Sequence, residues 1–286
     1  MKHFLTIIRW RNLILVGIIQ SLLYFRLLEW HQSVLKIGDV ILLVIITILI
    51  AAGGYVINDY YDRNIDQHNK PQAWIAGNHW TLSQVLRIYW ILTFMGLLLS
   101  LVLAIRLNLP EYLVLYPLAV TGLWLYSFML KCKPIAGNLW VSIFCAGVIG
   151  IIALPDLIKG NERIINFNIW YYIVFAFLST WYREIIKDIE DVEGDQKNNC
   201  QTAVVKFGSQ AGKIMATILA VGLVIVMLEW EARNGSPTFK LILLILEGII
   251  VASVAFMWWA KNKSYYHSAS TMVKVVMLAG TLLLII

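Results

Sequence analysis

Residues 38–66 read GDVILLVIITILIAAGGYVINDYYDRNID. From Val40 to Ile57 the run carries no charge, and at 1.5 Å rise per residue it is long enough to span most of the roughly 30 Å hydrocarbon core of a bilayer as one helix. It then passes, with no Pro to break it, into Asn58, Asp59, Asp62 and Asp66. If the helix continues, the three aspartates stand at i, i+3 and i+7 and share one face, within about 60° on a 3.6-residue period.

Apolar runs of this kind recur along the chain. Windows of about 19 residues predict nine transmembrane helices near 10–29, 38–58, 83–105, 111–130, 138–155, 167–187, 211–229, 239–260 and 270–286. The expected fold is therefore all-α, an integral membrane bundle forming one transmembrane domain over 1–286. Breakers mark the gaps: Pro71 and Gly77 after the second span, Pro110 before the fourth, Pro134 and Gly137 before the fifth, Pro155 after it, and Gly235 with Pro237 before the eighth. Composition agrees, with 60% hydrophobic and 14% charged residues and a mean hydropathy of +0.74. Soluble domains hold roughly 45–50% apolar and about 25% charged residues.

The net charge of +6 never gathers into one basic stretch, so no nucleic-acid partner is expected. Topology accounts for it instead. With a cytoplasmic N-terminus, the loops on that side hold Lys2, Arg9, Arg11, Arg63, Lys70, Arg87, Lys131, Lys133, Arg183, Lys187, Lys197, Lys206, Lys213, Lys261, Lys263 and Lys274. The other side keeps only Arg26, Lys36, Arg106, Lys159, Arg163, Arg233 and Lys240, the asymmetry of the positive-inside rule. This orientation predicts a multi-pass protein of the cell membrane with its N-terminus cytoplasmic. Lys2, Arg9 and Arg11 before the run Leu13 to Leu28 resemble a signal peptide's start, yet no small-residue cleavage site follows, and a retained first helix is expected. Cys132, Cys145 and Cys200 show no C-x-x-C spacing and are expected to be packing residues.

A second acidic segment follows the sixth span: Arg183-Glu184-Ile185-Ile186-Lys187-Asp188-Ile189-Glu190-Asp191-Val192-Glu193-Gly194-Asp195. Glu184, Asp188, Asp191 and Asp195 again form a single stripe, at i, i+4, i+7 and i+11. With nine spans, both acidic segments fall on the cytoplasmic face, four spans apart, which hints at a four-helix repeat. Like charges at i, i+4 repel by a few tenths of a kcal/mol, and carboxylates at a helix C-terminus oppose its dipole. Mg²⁺ offsets such a cost: it takes oxygen ligands, usually one or two protein carboxylates, and completes its shell with water and phosphate oxygens. Two such stripes make a clamp for a Mg²⁺-diphosphate, the alternative being solvated acidic loops.

On these residues the chain resembles the UbiA superfamily of intramembrane prenyltransferases. Asn58-Asp59-x-x-Asp62-x-x-x-Asp66 matches that family's first aspartate-rich motif and Asp191-x-x-x-Asp195 its second; nine helices with both motifs on cytoplasmic loops are also the family's architecture. The segment Tyr126 through Lys131 to Gly137-Asn138 is similar to the loop where a Tyr and basic residues approach the diphosphate. After Lys70-Pro71 the family often carries Arg-Pro, but Ala73 and Trp74 stand there, so Lys70, Lys131 or Lys133 would have to supply that cation. The string from Arg183 to Asp195 looks most like the branch that makes digeranylgeranylglyceryl phosphate and related ether lipids. Quinone-making members share the metal motifs, and that alternative stays open.

The resemblance implies transfer of a geranylgeranyl or similar group from its diphosphate to a glyceryl phosphate ether lipid. Asp59, Asp62, Asp66, Asp188, Asp191 and Asp195 would hold Mg²⁺, with Asp62 and Asp191 central to catalysis, and Asn58, Lys70, Tyr126 and Lys131 would contact the diphosphate. The expected partners are an isoprenyl diphosphate, a lipid-like acceptor and membrane lipids; no protein partner is inferred. A developing allylic cation needs electron-rich walls, for which Tyr55, Trp124, Tyr126, Trp140, Tyr172, Trp181 and Tyr182 are candidates, although Trp and Tyr gather at membrane interfaces in any case. No general base is assigned. His3, His31, His68, His79 and His267 lack metal-ligand spacing, and Gly53-Gly54 reads as a close-packing point between helices. A cation-binding transporter is the rival from another class, but no isolated charge is expected in the middle of the spans. CDP-alcohol phosphotransferases require a Gly just after the second Asp, where Arg63 follows Asp62.

Overall fold

The computed structural model describes residues 2–69 and 75–286, and within these the side chains of residue 2 and residues 64–69 are outside the description. The expected roles of Lys70, and of the side chains of Asp66 and His68, therefore lie outside the described residues, as does the Pro71 to Trp74 stretch. The described residues are helical, and their only β-type pairings are the isolated bridges Leu28 to Ile165 and Ala76 to Trp80. Two compact units emerge, Met1–Leu130 with Ile151–Ile165, and Lys131–Gly150 with Asn166–Ile286.

The first unit contains α1 (Lys2–Ile7), α2 (Trp10–Leu27), α3 (Ile37–Asn69), α4 (Leu82–Leu107), α5 (Tyr112–Leu125, passing into a π-helical turn at Tyr126–Leu130) and α7 (Leu154–Ile158). α3 runs past Asp59 and Asp62 to Asn69 without a break, as the first stripe requires. It lies close against α4: a Cβ on Gly53 would sit 2.9 Å from Thr93 Oγ1, and one on Gly54 3.0 Å from Leu123 Cδ1 of α5. The Gly pair is a close-packing point, as expected. Thr81 and Gln84 form a capping box that starts α4, and Asn108 in the left-handed region ends it. Buried Ile7, Val56, Ile57, Ile75, Ala76, Val85 and Tyr89 pack together where the apolar part of α3 gives way to Asn58. This cluster joins α1 and the turn before α4 to the last apolar turn of α3, and so fixes where the acidic turn begins. At the opposite end of α3, Arg106 Nε donates to Asp39 Oδ1 at 2.8 Å. Fully buried Asp156 accepts from Ser33 Oγ at 2.7 Å and from the Val34 backbone N–H at 2.8 Å.

The second unit contains α6 (Ala136–Gly150), α8 (Asn168–Lys197), α9 (Ala203–Phe207), α10 (Ser209–Arg233), α11 (Pro237–Trp258) and α12 (Lys263–Gly280). α8 is its axis, packed on α6, α10 and α12. Near its start, buried Trp230 donates Nε1 to Asn168 Oδ1 at 2.7 Å and is met by the rings of Tyr171, Tyr172 and Phe239. Further on, Tyr182 and Ser253 hydroxyls hydrogen-bond at 2.8 Å in the buried interior.

Six helices are long and apolar enough to cross a membrane by themselves, namely Ile37–Arg63, Leu82–Leu107, Tyr112–Leu130, Ser209–Arg233, Pro237–Trp258 and Lys263–Leu284. α2, α6 and α8 occupy the other three expected positions, which is compatible with nine spans. α6 is an apolar helix of 15 residues, and α8 carries its acidic end within the same helix.

Two expectations need correction. Cys132 and Cys200 are joined as a disulfide across 68 residues of sequence, while only Cys145 is free. Spacing could not reveal this, because the bond depends on α8 bringing its end back to the start of α6. Glu247, midway along α11, is 6% exposed, and its Oε1 has no hydrogen-bond partner among the described residues. A window of about 19 residues averages one carboxyl into its Leu and Ile neighbours, so an isolated mid-span charge went unexpected.

Replacing Gly53 by Ala is expected to lower stability by about 1–3 kcal/mol through overpacking against Thr93. Gly147→Ala, where the new methyl meets nothing within 4 Å, should leave stability unchanged or raised by up to about 1 kcal/mol. Thermal unfolding of both variants in one detergent decides between them.

Candidate functional site

The α3 half of the site begins at the last apolar turn of that helix. Asp62 is 6% exposed, and Asn58 Nδ2, one turn earlier, donates to its Oδ2 at 2.5 Å. In this contact Asn58, expected at the diphosphate, orients the Asp62 carboxylate. Arg9, held with a left-handed backbone between α1 and α2, lies 3.3 Å from Asp59 Oδ1, with its guanidinium 4.7 Å from the centre of the Tyr55 ring. Arg63 turns back over Tyr60 and donates to its carbonyl at 3.1 Å.

The α8 half is built the same way. Asp188 Oδ2 accepts from Asn138 Nδ2 of α6 at 2.8 Å. Burial pushes the Asp188 carboxyl up to about 7, and the nearby charges of Glu184 and Asp195 add to the effect, which the Asn138 bond and Lys187 partly counter. Asp195 is pushed up to about 6, again by burial first and by Asp191 next, with Lys131 and the Thr202 hydroxyl pulling the other way. Glu184 pairs with Arg183 at 3.0 Å and Lys187 at 3.3 Å. Asp191 pairs with Lys263 at 3.1 Å, and Glu190 with His267 Nδ1 at 3.1 Å, both across to α12.

Asp188, Asp191 and Asp195 are thus brought together with Lys131 in one unit, and Asn58, Asp59 and Asp62 in the other. Tyr126 opens the π-helical turn of the first unit, and such turns recur at functional sites. Among the aromatic candidates, Tyr172 belongs to the Trp230 cluster, 16 residues or about 24 Å before Asp188 along α8. Tyr182 is tied to Ser253 in the interior. Both are packing groups, and the aromatic list narrows accordingly. Trp124 stacks on Phe128 with ring centres 5.1 Å apart and meets Tyr61 edge-on, so Tyr61, unlisted in sequence terms, joins an aromatic wall next to the first stripe.

Arg9, Lys263 and Asn138 are partners that reading by motif did not assign to the aspartates. Asn138 alone left a trace, at the end of the Tyr126 segment; the other two are separated from their aspartates by 50 and 72 residues with no local pattern to connect them.

Among the described residues, no three His, Cys, Asp or Glu side chains form a ready-made metal cage. The donor chemistry nevertheless fits Mg²⁺. The stripes offer carboxylate oxygens, and on α8 Asp188 and Asp195 are held above their usual range by burial first and by neighbouring carboxylates next, so a cation beside them would offset both causes. One or two such ligands per ion are the usual protein share for Mg²⁺ when a phosphate supplies the rest.

Apolar helices that run on into acidic stripes, one in each unit, are the pattern of a membrane prenyltransferase. The chain belongs to the UbiA prenyltransferase family, whose model matches residues 21–276. It is a multi-pass membrane protein and an enzyme of prenyl transfer. It is 32% identical over 235 residues to the digeranylgeranylglyceryl phosphate synthase of Methanosphaera stadtmanae, covering 81% of both chains, and 30% identical over 217 residues to that of Hyperthermus butylicus, covering 74% and 70%. Among solved structures, it is similar to one described as "Structural and mechanistic insights into the biosynthesis of Digeranylgeranylglyceryl phosphate synthase in membranes", with a TM-score of 0.73 at 25% identity over 99% and 96% of the chains. A UbiA homolog from Archaeoglobus fulgidus bound to GPP and Mg²⁺ shares the fold, with a TM-score of 0.63 at 16% identity over 99% and 100%.

Asn138→Ala is expected to cost about 1–3 kcal/mol by leaving a half-buried Asp188 oxygen without its donor. Arg9→Gln, at a pair in which the Arg side chain is 43% exposed, should cost no more than about 1 kcal/mol. Denaturation of the two purified variants at matched pH measures the difference.

Proposed function

We propose that this enzyme transfers a geranylgeranyl group from its diphosphate to the free hydroxyl of a glyceryl phosphate ether lipid, with Mg²⁺ as cofactor. The observation that carries the reading is the α8 stripe, where Asn138 orients the half-buried Asp188 carboxyl at 2.8 Å and Asp195 stands about two turns further on, both carboxyls being raised by burial first and by neighbouring carboxylates next. Such a stripe gains most from a cation that brings its own anionic ligand. The family and the likeness to several digeranylgeranylglyceryl phosphate synthases support the choice of substrates.

In this reading Asp59, Asp62 and Asp66 on α3, and Asp188, Asp191 and Asp195 on α8, are the metal ligands. Bound Mg²⁺ supplies Lewis-acid stabilisation of the departing diphosphate. Asn58 holds the Asp62 carboxylate in orientation, and Asn138 does the same for Asp188. Lys131, Lys70 and Tyr126 contact the diphosphate and take up charge as the allylic C–O bond breaks. The acceptor oxygen forms the new C–O bond, and its proton leaves to water or to the diphosphate. The whole chain acts as one transmembrane domain, with the N-terminus and both acidic helix ends cytoplasmic.

The decisive experiment offers geranylgeranyl diphosphate with geranylgeranylglyceryl phosphate, and separately with aromatic quinone precursors, and identifies products by mass. Product with the glyceryl phosphate acceptor alone is expected; product only with the aromatic acceptors overturns the acceptor assignment. Chelation of divalent ions should stop turnover and added Mg²⁺ restore it. Asp62→Asn and Asp191→Asn should each reduce turnover by about 10²-fold or more, the scale of a lost electrostatic contact to the transition state, while the protein stays in the membrane. Near-normal turnover in both variants would count against the site.

A further inference from the structure

Cys132 directly follows Lys131, and its partner Cys200 stands five residues after Asp195. The disulfide between them brings their Cα atoms to 4.6 Å. The Cys200 backbone N–H donates to the Asp195 carbonyl at 2.8 Å, so the cystine is built onto the last turn of the acidic stripe. The turn beyond it is also fixed, because Thr202 caps α9 through the Val205 N–H at 3.4 Å. Cys200 and Val204 are buried. The segment before α6 that carries Lys131 contains Pro134 and a left-handed Ile135, and the disulfide is the covalent link between it and α8. The charge of Lys131 acts on both Glu184 and Asp195.

We propose that the Cys132–Cys200 disulfide is a positioning device that pins Lys131 beside Asp195, so that the ammonium and the carboxylate stripe address the same diphosphate, and that its reduction weakens diphosphate binding. The proposal rests on the diphosphate reading of this stripe. Disulfides facing the cytoplasm meet a reducing thiol pool in most cells, so on the proposed orientation the link responds to redox state. A dithiol such as dithiothreitol delivers two electrons and two protons to the cystine, giving two thiols and a cyclic disulfide of the reagent. Lys131 then loses its tether, and the entropy of holding its segment in place is charged against binding.

The test uses the full-length protein in detergent, oxidised or treated with dithiothreitol, together with Cys132→Ser/Cys200→Ser, Lys131→Gln and the triple variant. Equilibrium binding of inorganic pyrophosphate with Mg²⁺ is measured alongside KM and kcat for geranylgeranyl diphosphate, and hydrogen exchange is followed over residues 195–202. Reduction should weaken pyrophosphate binding by about tenfold and lower kcat/KM for geranylgeranyl diphosphate by at least the same factor, with kcat falling as well because Lys131 also meets the charge on the departing diphosphate. The double Ser variant should match the reduced protein and ignore dithiothreitol, and adding Lys131→Gln to it should change binding little, because the two act through one group. Exchange over residues 195–202 should quicken on reduction. Unchanged binding after reduction, or fully additive effects of Lys131→Gln and the Ser pair, overturns the proposal. If the oxidised wild type binds no pyrophosphate at all, the diphosphate reading itself fails; binding that survives reduction sinks the tether alone.

Discussion

A carboxylate at the edge of a hydrocarbon phase has to find a donor or a cation close by, since leaving it without one costs several kcal/mol or forces it to neutralise. Around both acidic helix ends the chain supplies such partners. Asp62 has Asn58, Asp188 has Asn138, Asp59 has Arg9 and Asp191 has Lys263. Asp62 and Asp188 receive neutral amides, which orient an oxygen without cancelling its charge. The salt bridges go to Asp59 and Asp191, which are more exposed and from which a flexible cation can swing away. Only Glu184 is doubly neutralised, by Arg183 and Lys187, and it is the member of the α8 stripe that the metal assignment leaves out. These contacts hold the stripes in shape.

Holding them in shape is the work of the apolar parts. α3 can approach α4 closely because Gly53 presents no side chain to Thr93, and the buried set from Ile7 to Tyr89 locks the turn at which α3 changes from apolar to acidic. On α8, the Trp230 cluster anchors the helix start, and the Tyr182 to Ser253 bond fixes the turn just before Glu184. Rigid burial precedes each stripe, and so the placement of the carboxylates is inherited from packing that is itself indifferent to charge.

How much of this was legible follows from the range of each interaction. Stripes at i, i+3, i+4 and i+7 are local facts of a helix, so Asp59, Asp62, Asp188, Asp191 and Asp195 could be named from sequence, and α3 and α8 do continue through them. The apolar runs were equally plain. Arg9 with Asp59, Lys263 with Asp191 and Cys132 with Cys200 are contacts over 50, 72 and 68 residues, which no periodicity encodes. Glu247 was passed over for the opposite reason, a single polar residue diluted by the hydropathy of its neighbours. Sequence could not show that Tyr172 packs against Trp230, because an aromatic residue looks the same in sequence whether it lines a site or fills a core.

The proposed substrate and the protein share one division of character. An isoprenyl diphosphate is a multiply charged head joined at a single bond to a hydrocarbon tail, and α3 changes from apolar to acidic at Asn58 and Asp59 as α8 changes from apolar to charged at Arg183 and Glu184. A tail without a head would gain only what any lipid gains from an apolar surface. A head without a tail would compete with every soluble phosphate for the same cation. Requiring both ties affinity to the bond between them, which is also the bond that breaks. Binding energy from the tail can then be spent on holding that bond at the point where charge develops, an economy available only to a protein whose helices change character there.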